Sequence, residues 1–341
     1  MASLIVADNL TKEFRHAVKK PGLTGSIRHL LNPEYEKKTA VDRISFSIER
    51  GESVAYVGPN GAGKSTTIKM LTGILVPTGG QVLVDGVIPY KNRIENAKNI
   101  GAVFGQRTQL WWDLPVLESL TLLKEIYEIP DREYKKRMEL FEDILHLGGF
   151  LHLPARKISL GQRMRADLAA SLLHNPKVLY LDEPTIGLDV SVKARIRQFI
   201  REVNRESGTT ILLTTHDMED IEDICKRLLI IDRGRLIFDG ELQAVKDAFA
   251  QERTIHFEVR APLHVGEEEL AAQFPGAVLH IPSEGSGFSV RFNRFYYSAG
   301  DIIDFVTKRN EIVDIHIDEP SIELVIRQIY ESNSNLQRII V

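Results

Sequence analysis

Cysteine is nearly missing from this sequence: Cys225 is the only one in 341 residues. No intrachain disulfide and no cysteine-built zinc site can form, so a reducing cytoplasm is the natural setting and the thiol reads as a small buried hydrophobe. Long apolar runs are missing too. No stretch approaches the roughly 18 residues that a membrane-spanning helix needs, and the opening MASLIVADNL lacks the basic start and apolar core of a signal peptide. The chain is not expected to form a membrane channel by itself. The third absence is an excess of charge. Lys and Arg number 43 against 47 Asp and Glu, a net charge of −4, so no broad basic field would hold the chain on nucleic acid, and no nucleic-acid partner is expected.

What remains is ordinary for a folded protein. Hydrophobic residues at 43% and charged residues at 26% exclude disordered, collagen-like and coiled-coil architectures, and the length suggests two domains at roughly 150 residues each. Leu4, Val6 and Leu10, then Ile44, Phe46 and Ile48, come at strand spacing and predict paired antiparallel strands. Between them residues 15–38 carry six Lys or Arg against two Glu, with Pro21, Gly22, Gly25 and Pro33, and read as an inserted loop or short helix. From Val116 to about Leu147 helical periodicity dominates, broken at Pro130-Asp131 into two helices. The runs VLYL (178–181), ILLTT (211–215) and LLIID (228–232) alternate with helices, which predicts a buried parallel sheet. Past Ala250 the pattern becomes βαββαβα, the order of a small ferredoxin-like α+β domain over 249–341 after a first domain over 1–248.

The chemistry begins at Gly58-Pro59-Asn60-Gly61-Ala62-Gly63-Lys64-Ser65-Thr66, which follows a compact apolar strand and opens a helix. In G-x-x-x-x-G-K-[ST] the glycines let backbone N–H groups face phosphates, the Lys reaches the β/γ-phosphates and the Ser holds Mg²⁺. Further on, VLYLDEP puts Asp182 and Glu183 at the C-terminal end of a buried strand, where open α/β sheets place ligand chemistry. Asp182 suits a Mg²⁺ shell and Glu183 a general base for water. No Asn-Lys dipeptide occurs in the sequence, so the guanine motif Asn-Lys-x-Asp is absent and ATP is favoured over GTP.

Between the two phosphate motifs stands Ile158-Ser159-Leu160-Gly161-Gln162, which resembles the signature L-S-G-G-Q of the ATP-binding cassette (ABC) family. Gln106 in VFGQ, Gly187-Leu188-Asp189 and His216 in TTHD fall in that family's order, over residues of about 3–240. The resemblance implies an α/β P-loop cassette with a parallel core sheet, an antiparallel β subdomain and a helical subdomain over about 107–174. It also implies a head-to-tail homodimer enclosing two ATP molecules, with Ser159, Gly161 and Gln162 of one copy facing the phosphate loop of the other. Asp189 is implied in coupling across the dimer, His216 in contact with the γ-phosphate and the attacking water, Gln106 in touching Mg²⁺, and Phe14 in stacking on adenine, with Tyr35 or a plain core role for Phe14 as alternatives. Leu160 departs from the signature at its first glycine.

A cassette without a membrane segment implies separate permease subunits, and the family's contact surface corresponds to Gln106–Leu114. Both tryptophans, Trp111 and Trp112, sit there, either as interface anchors or as a cap on the helical core. The insert, the SLGQR signature and the C-terminal extension are similar to cassettes of bacterial ABC-2 exporters of the drug-resistance group, which implies a peripheral place on the inner face of the membrane and a regulatory or dimer-stabilising last domain. The basic insert either lies against anionic head groups or is a solvated hairpin. His264, His280 and His316 read as solvated or half-buried strand residues. The alternatives are an importer cassette with a ligand-sensing C-terminal domain and an ABC ATPase that serves no transporter.

Overall fold

Alternating apolar residues fold the start of the chain into β1 (Ser3–Ala17), which buries Leu4, Ile5, Ala7 and Leu10 and pairs antiparallel with β2 (Tyr35–Glu49). The computed structural model describes residues 3–17, 35–105, 107–249, 252–260, 264–282 and 287–318, with 322–323, 326 and 329–330 beyond them. The ends of the basic insert are neither loop nor helix. Arg15 pairs with Lys37 and Ala17 with Tyr35, and Glu13 reaches the Lys37 ammonium at 3.5 Å. Polar cross-strand pairs, which carry no hydrophobic alternation, extend the ladder; residues 18–34 lie outside the described residues.

Two units make up the chain, Met1–Gly240 and Glu241–Val341. In the first, β3 (Ser53–Val57) is buried at every position, because a parallel strand covered on both faces has no solvent side. It feeds the phosphate loop and α1 (Lys64–Leu71); β4 (Gly79–Val84) then returns to β1, giving a three-stranded antiparallel sheet in the order β2-β1-β4. After α2 (Arg93–Asn99) and β5 (Ile100–Phe104) come the helices α3 (Val116–Ile126) and α4 (Asp131–Leu145), separated at Pro130 as the sequence predicts. A short 3₁₀ turn precedes α5 (Leu160–Leu172).

The sheet that positions the site is completed by β6 (Val178–Asp182), α6 (Val190–Ser207), β7 (Thr210–Thr214), α7 (Met218–Ile224), β8 (Arg227–Asp232) and β9 (Arg235–Glu241). Its order is β5-β6-β7-β3-β8-β9, and the pairs β5-β6, β6-β7, β7-β3 and β3-β8 are all parallel. The C-terminal ends of β3, β6 and β7 therefore open on one edge. Helix α6 packs Ile196, Phe199, Ile200 and Val203 inward, and Cys225 is buried as a small hydrophobe would be.

The second unit begins with α8 (Leu242–Phe249) and continues through β10 (Glu252–Val259), α9 (Glu267–Gln273), β11 (Val278–His280), β12 (Gly287–Asn293), α10 (Ala299–Thr307) and β13 (Ile312–Asp318). The strands form one antiparallel sheet in the order β11-β12-β10-β13. Its core gathers Ile255, Phe257, Leu270, Phe288, Val290, Ile302 and Phe305. Alternate residues of β10 point away from that core, and there His256 Nε2 lies 2.6 Å from Asp318, whose other oxygen lies 3.1 Å from His316 Nε2. Among the described residues no helix is long and apolar enough to cross a membrane.

Phe199 is fully buried and meets Phe141 edge-on with ring centroids 6.0 Å apart. Phe199→Ala is expected to destabilise the first unit by roughly 3–5 kcal/mol through lost burial and a residual cavity. Urea unfolding followed by Trp111 and Trp112 fluorescence reads that unit alone; an unchanged midpoint would contradict this packing.

Candidate functional site

The loop between β3 and α1 can wrap tightly only because of its glycines. A Cβ on Gly58 would sit 2.3 Å from the Ile231 carbonyl oxygen, and Gly63 has φ +112 with the Ala40 carbonyl oxygen 2.5 Å from where its Cβ would be. Either substitution would push the loop open. Tyr56 and Thr67 tie β3 to α1 at 3.1 Å. The Lys64 ammonium is folded back into the loop, donating to the Gly58 carbonyl and, at 3.3 Å, to that of Pro59. Partial burial lowers the Lys64 pKa, against the pull of Glu183 and Asp182.

Two neighbouring strand ends supply the carboxylates. Asp182 pairs with Phe104 on one side and Thr214 on the other. Its Oδ2 accepts from the Ser65 hydroxyl at 3.2 Å and its Oδ1 from Thr214 at 2.5 Å. Glu183 follows with φ +57, a left-handed conformation that costs a non-glycine residue strain and is held here by its N–H donating to the Thr214 carbonyl at 2.9 Å. Burial raises the Glu183 pKa, with the His216 backbone N–H and Lys64 pulling it down. Such a carboxylate is a better proton acceptor than a free one.

His216 closes the set. Its Nε2 lies 3.4 Å from Lys64 Nζ, 3.2 Å from Asn60 Oδ1 and 3.4 Å from Glu183 Oε1. Partial burial, then the Lys64 charge, lowers its pKa, so the neutral imidazole is the favoured form. Three loops distant in sequence thus meet on one ring nitrogen.

The other predicted residues lie apart from that cluster. Ser159 is the N-cap of α5, in a capping box with Gln162: Gln162 N–H donates to Ser159 Oγ at 3.2 Å, and Ser159 N–H to Gln162 Oε1 at 2.8 Å. Gly161 lies against Val192, 3.3 Å from where its Cβ would be, and Leu160 against Gly187. Asp189 caps α6 by accepting from Val192 N–H at 3.0 Å. These bonds run within the signature and its neighbouring loop. Phe14 is half-buried on β1 with the Lys12 ammonium 5.4 Å over its ring, while Tyr35 is exposed. Thr66 is half-buried on α1. Gln106 lies outside the described residues.

Residues 107–114 run beside the signature helix. Thr108 Oγ1 and the Gln109 N–H both donate to Asp167 Oδ1 on α5, at 2.9 and 3.0 Å, and Gln109 Nε2 donates to the Asp167 carbonyl at 2.8 Å. Trp111 and Trp112 are 40% and 50% exposed, with the Arg163 guanidinium 5.2 Å over Trp112. Thr214 and Asp167 escaped the sequence reading, since each acts through a partner far along the chain. The only local hints were a doubled Thr before His216 and one Asp among the apolar residues of α5. Among the described residues no group of three or more His, Cys, Asp or Glu is arranged to hold a metal alone.

Residues 41–186 match the family described as ABC transporter. The chain is 32% identical over 209 residues to the ABC transporter ATP-binding protein NatA of Bacillus subtilis, covering 61% of this chain and 85% of NatA. It is 37% identical over 209 residues to the Linearmycin resistance ATP-binding protein LnrL of the same organism, covering 60% of this chain and 66% of LnrL. To the Methionine import ATP-binding protein MetN of Geobacillus kaustophilus it is 36% identical, covering 60% of each chain. Among solved structures, the dimeric post-hydrolysis state of the ATP-binding cassette MJ0796 bound to ADP and Pi superposes with a TM-score of 0.58 at 26% identity, over 70% of this chain and 98% of that one.

Asp167 is 4% exposed, and burial pushes its carboxyl up to about 6. An unfolded Asp titrates near roughly 3.9, so the folded chain binds more protons between those values and loses stability as pH rises through them. Asp167→Asn keeps an accepting Oδ1 without the titration. Between pH 4 and 7 the wild type should lose about 2–3 kcal/mol relative to the variant; a difference independent of pH in urea titrations would contradict the assignment.

Proposed function

The chain belongs to the family of ABC transporter ATP-binding proteins, and from that premise we propose that it powers export through separate membrane permeases of the ABC-2 type. As a member it is an ATPase subunit of a transporter, binding ATP and splitting it to ADP and phosphate. The observation that carries the site assignment is the meeting of Lys64, Asn60 and Glu183 within 3.4 Å of His216 Nε2, at the open ends of parallel strands.

On this reading the backbone N–H groups of residues 58–66 and the Lys64 ammonium receive the β- and γ-phosphates, with Lys64 giving up its carbonyl bonds to do so. Ser65 and Asp182 present an oxygen pair that would hold Mg²⁺, a hard cation that prefers oxygen ligands. When bound, Mg²⁺ neutralises charge on the phosphate oxygens. Glu183 takes the proton from a water attacking the γ-phosphorus in line as the bond to the ADP oxygen breaks. His216 orients that water and the γ-phosphate, Gln106 joins the Mg²⁺ contacts, and Phe14 stacks on the adenine. Ser159, Gly161 and Gln162 sit at the capped N-terminus of α5, its positive dipole end; they serve the nucleotide of a second copy, and Asp189 couples the two. In this proposal the exposed Trp111-Trp112 pair anchors the permease, the chain lies on the inner face of the membrane, and no nucleic acid is a partner.

Export is supported by the resistance named for LnrL, together with the SLGQR signature, the insert and the C-terminal extension. Import remains the second reading, because MetN is named for it.

Lys64→Ala should lose tight ATP binding. Glu183→Gln should bind ATP with near wild-type affinity and lose about 10²–10⁴-fold in turnover, the scale of a general base. Steady-state hydrolysis with equilibrium ATP binding checks both; unchanged turnover in Glu183→Gln removes it from the base role.

A further inference from the structure

Two buried hydroxyls flank the catalytic pair and take no part in the chemistry above. Thr185, two residues after Glu183, and Thr215, just before His216, are each 2% exposed. Both donate to a single oxygen, Oδ2 of Asp220 on α7: Thr215 at 3.0 Å, and Thr185 in a closer contact. Asp220 is 0% exposed. Its other oxygen faces Arg197 Nη1 of α6 at 3.4 Å, and the buried Arg197 also meets Glu219 and Asp223 at 2.9 Å each.

The same cluster grips His216 from its other side. Asp217 N–H donates to Thr215 Oγ1 at 3.0 Å, and the Asp217 carboxylate receives Lys193 Nζ of α6 at 2.6 Å. Both chain neighbours of His216 are therefore tied to α6 or α7. A buried ion pair is weak evidence for stability, since an apolar pair of the same shape often serves as well. What an apolar pair cannot do is hold two hydroxyls from two loops at one point. Glu183 needs such a hold, because its left-handed backbone persists only where neighbours over-determine it, and its carboxylate also takes the His216 backbone N–H.

We propose that Asp220 is a positioning residue: by gathering Thr185 and Thr215 on one carboxylate oxygen, it fixes Glu183 and His216 in the register that orients and deprotonates the attacking water. This rests on the ATPase reading of the same site. Asp220 touches neither substrate nor metal; it sets where the two groups that do so stand.

The test uses the full chain. Thr215→Val removes the hydroxyl at nearly constant shape, Thr215→Ser retains it, and Thr185→Val and Asp220→Asn probe the other partners. Misplacing a catalytic group by about 1 Å costs up to ~10²-fold, so Thr215→Val and Asp220→Asn should lower kcat by about 10–100-fold with KM for ATP within about threefold. Thr215→Ser should recover most of the rate. On a Glu183→Gln background each change should lower the residual rate by less than it lowers the wild-type rate, since part of its effect acts through Glu183. A merely structural role would lower the Tm without splitting kcat from KM and without this non-additivity. If Asp220→Asn does not fold, the two valine variants decide. Folded Thr215→Val and Thr185→Val chains turning over at the wild-type rate overturn the proposal. A wild type that hydrolyses no ATP, or a Glu183→Gln that turns over normally, instead overturns the underlying reading.

Discussion

The register of three parallel strands governs the site. Asp182 stands opposite Thr214, and Ala55 opposite Leu213, so β3, β6 and β7 stop together and release their loops at one edge. A slip of one residue would turn Asp182 to the other face of the sheet, away from Ser65. The register is secured by strands buried on both faces, with Val54, Leu181, Leu212 and Leu213 all fully inaccessible. Hydrophobic packing thereby fixes the relative positions of polar groups that never touch it.

Inside that frame the polar groups constrain one another. Lys64, Glu183 and His216 are each partly desolvated, which works against every charge present. The cluster persists because the charges differ in sign and because backbone groups supply bonds: the Gly58 and Pro59 carbonyls for Lys64, and the His216 N–H for Glu183. On the proposed reading an arriving triphosphate replaces the carbonyls as partner of Lys64 and meets Glu183, a carboxylate whose pKa burial already raises. The strain at Glu183 is borne by the Thr214 carbonyl and, two residues on, by the Thr185 bond to Asp220. The signature helix α5 is joined through Asp167 to Thr108 and Gln109, the residues that lead into the exposed tryptophans.

Much of this was legible in the sequence because it is local. The phosphate loop is a contiguous motif between a strand and a helix, the carboxylates are adjacent on one strand, and the break at Pro130 is a property of two residues. What escaped depends on distance. Asp220 and Thr185 are 35 residues apart and Asp167 and Thr108 are 59 apart; nothing in composition or periodicity joins them. The ends of the insert are paired strands, which fits the solvated-hairpin reading and not the loop or short helix that composition suggests: polar paired strands satisfy their backbone without burying a face, so period-2 alternation never arises. The roles implied for Ser159 and Asp189 concern a second copy, and one chain shows only that both cap helices.

In the proposed mechanism two copies of this chain close on ATP, each completing the other's site. Light scattering coupled to size exclusion of Glu183→Gln, with and without ATP and Mg²⁺, tests it most directly. The account predicts a monomer of 38.5 kDa without nucleotide and a doubled mass with it, reverting to monomer when Ser159→Arg is added. A mass indifferent to ATP, or a dimer unaffected by that substitution, would contradict it.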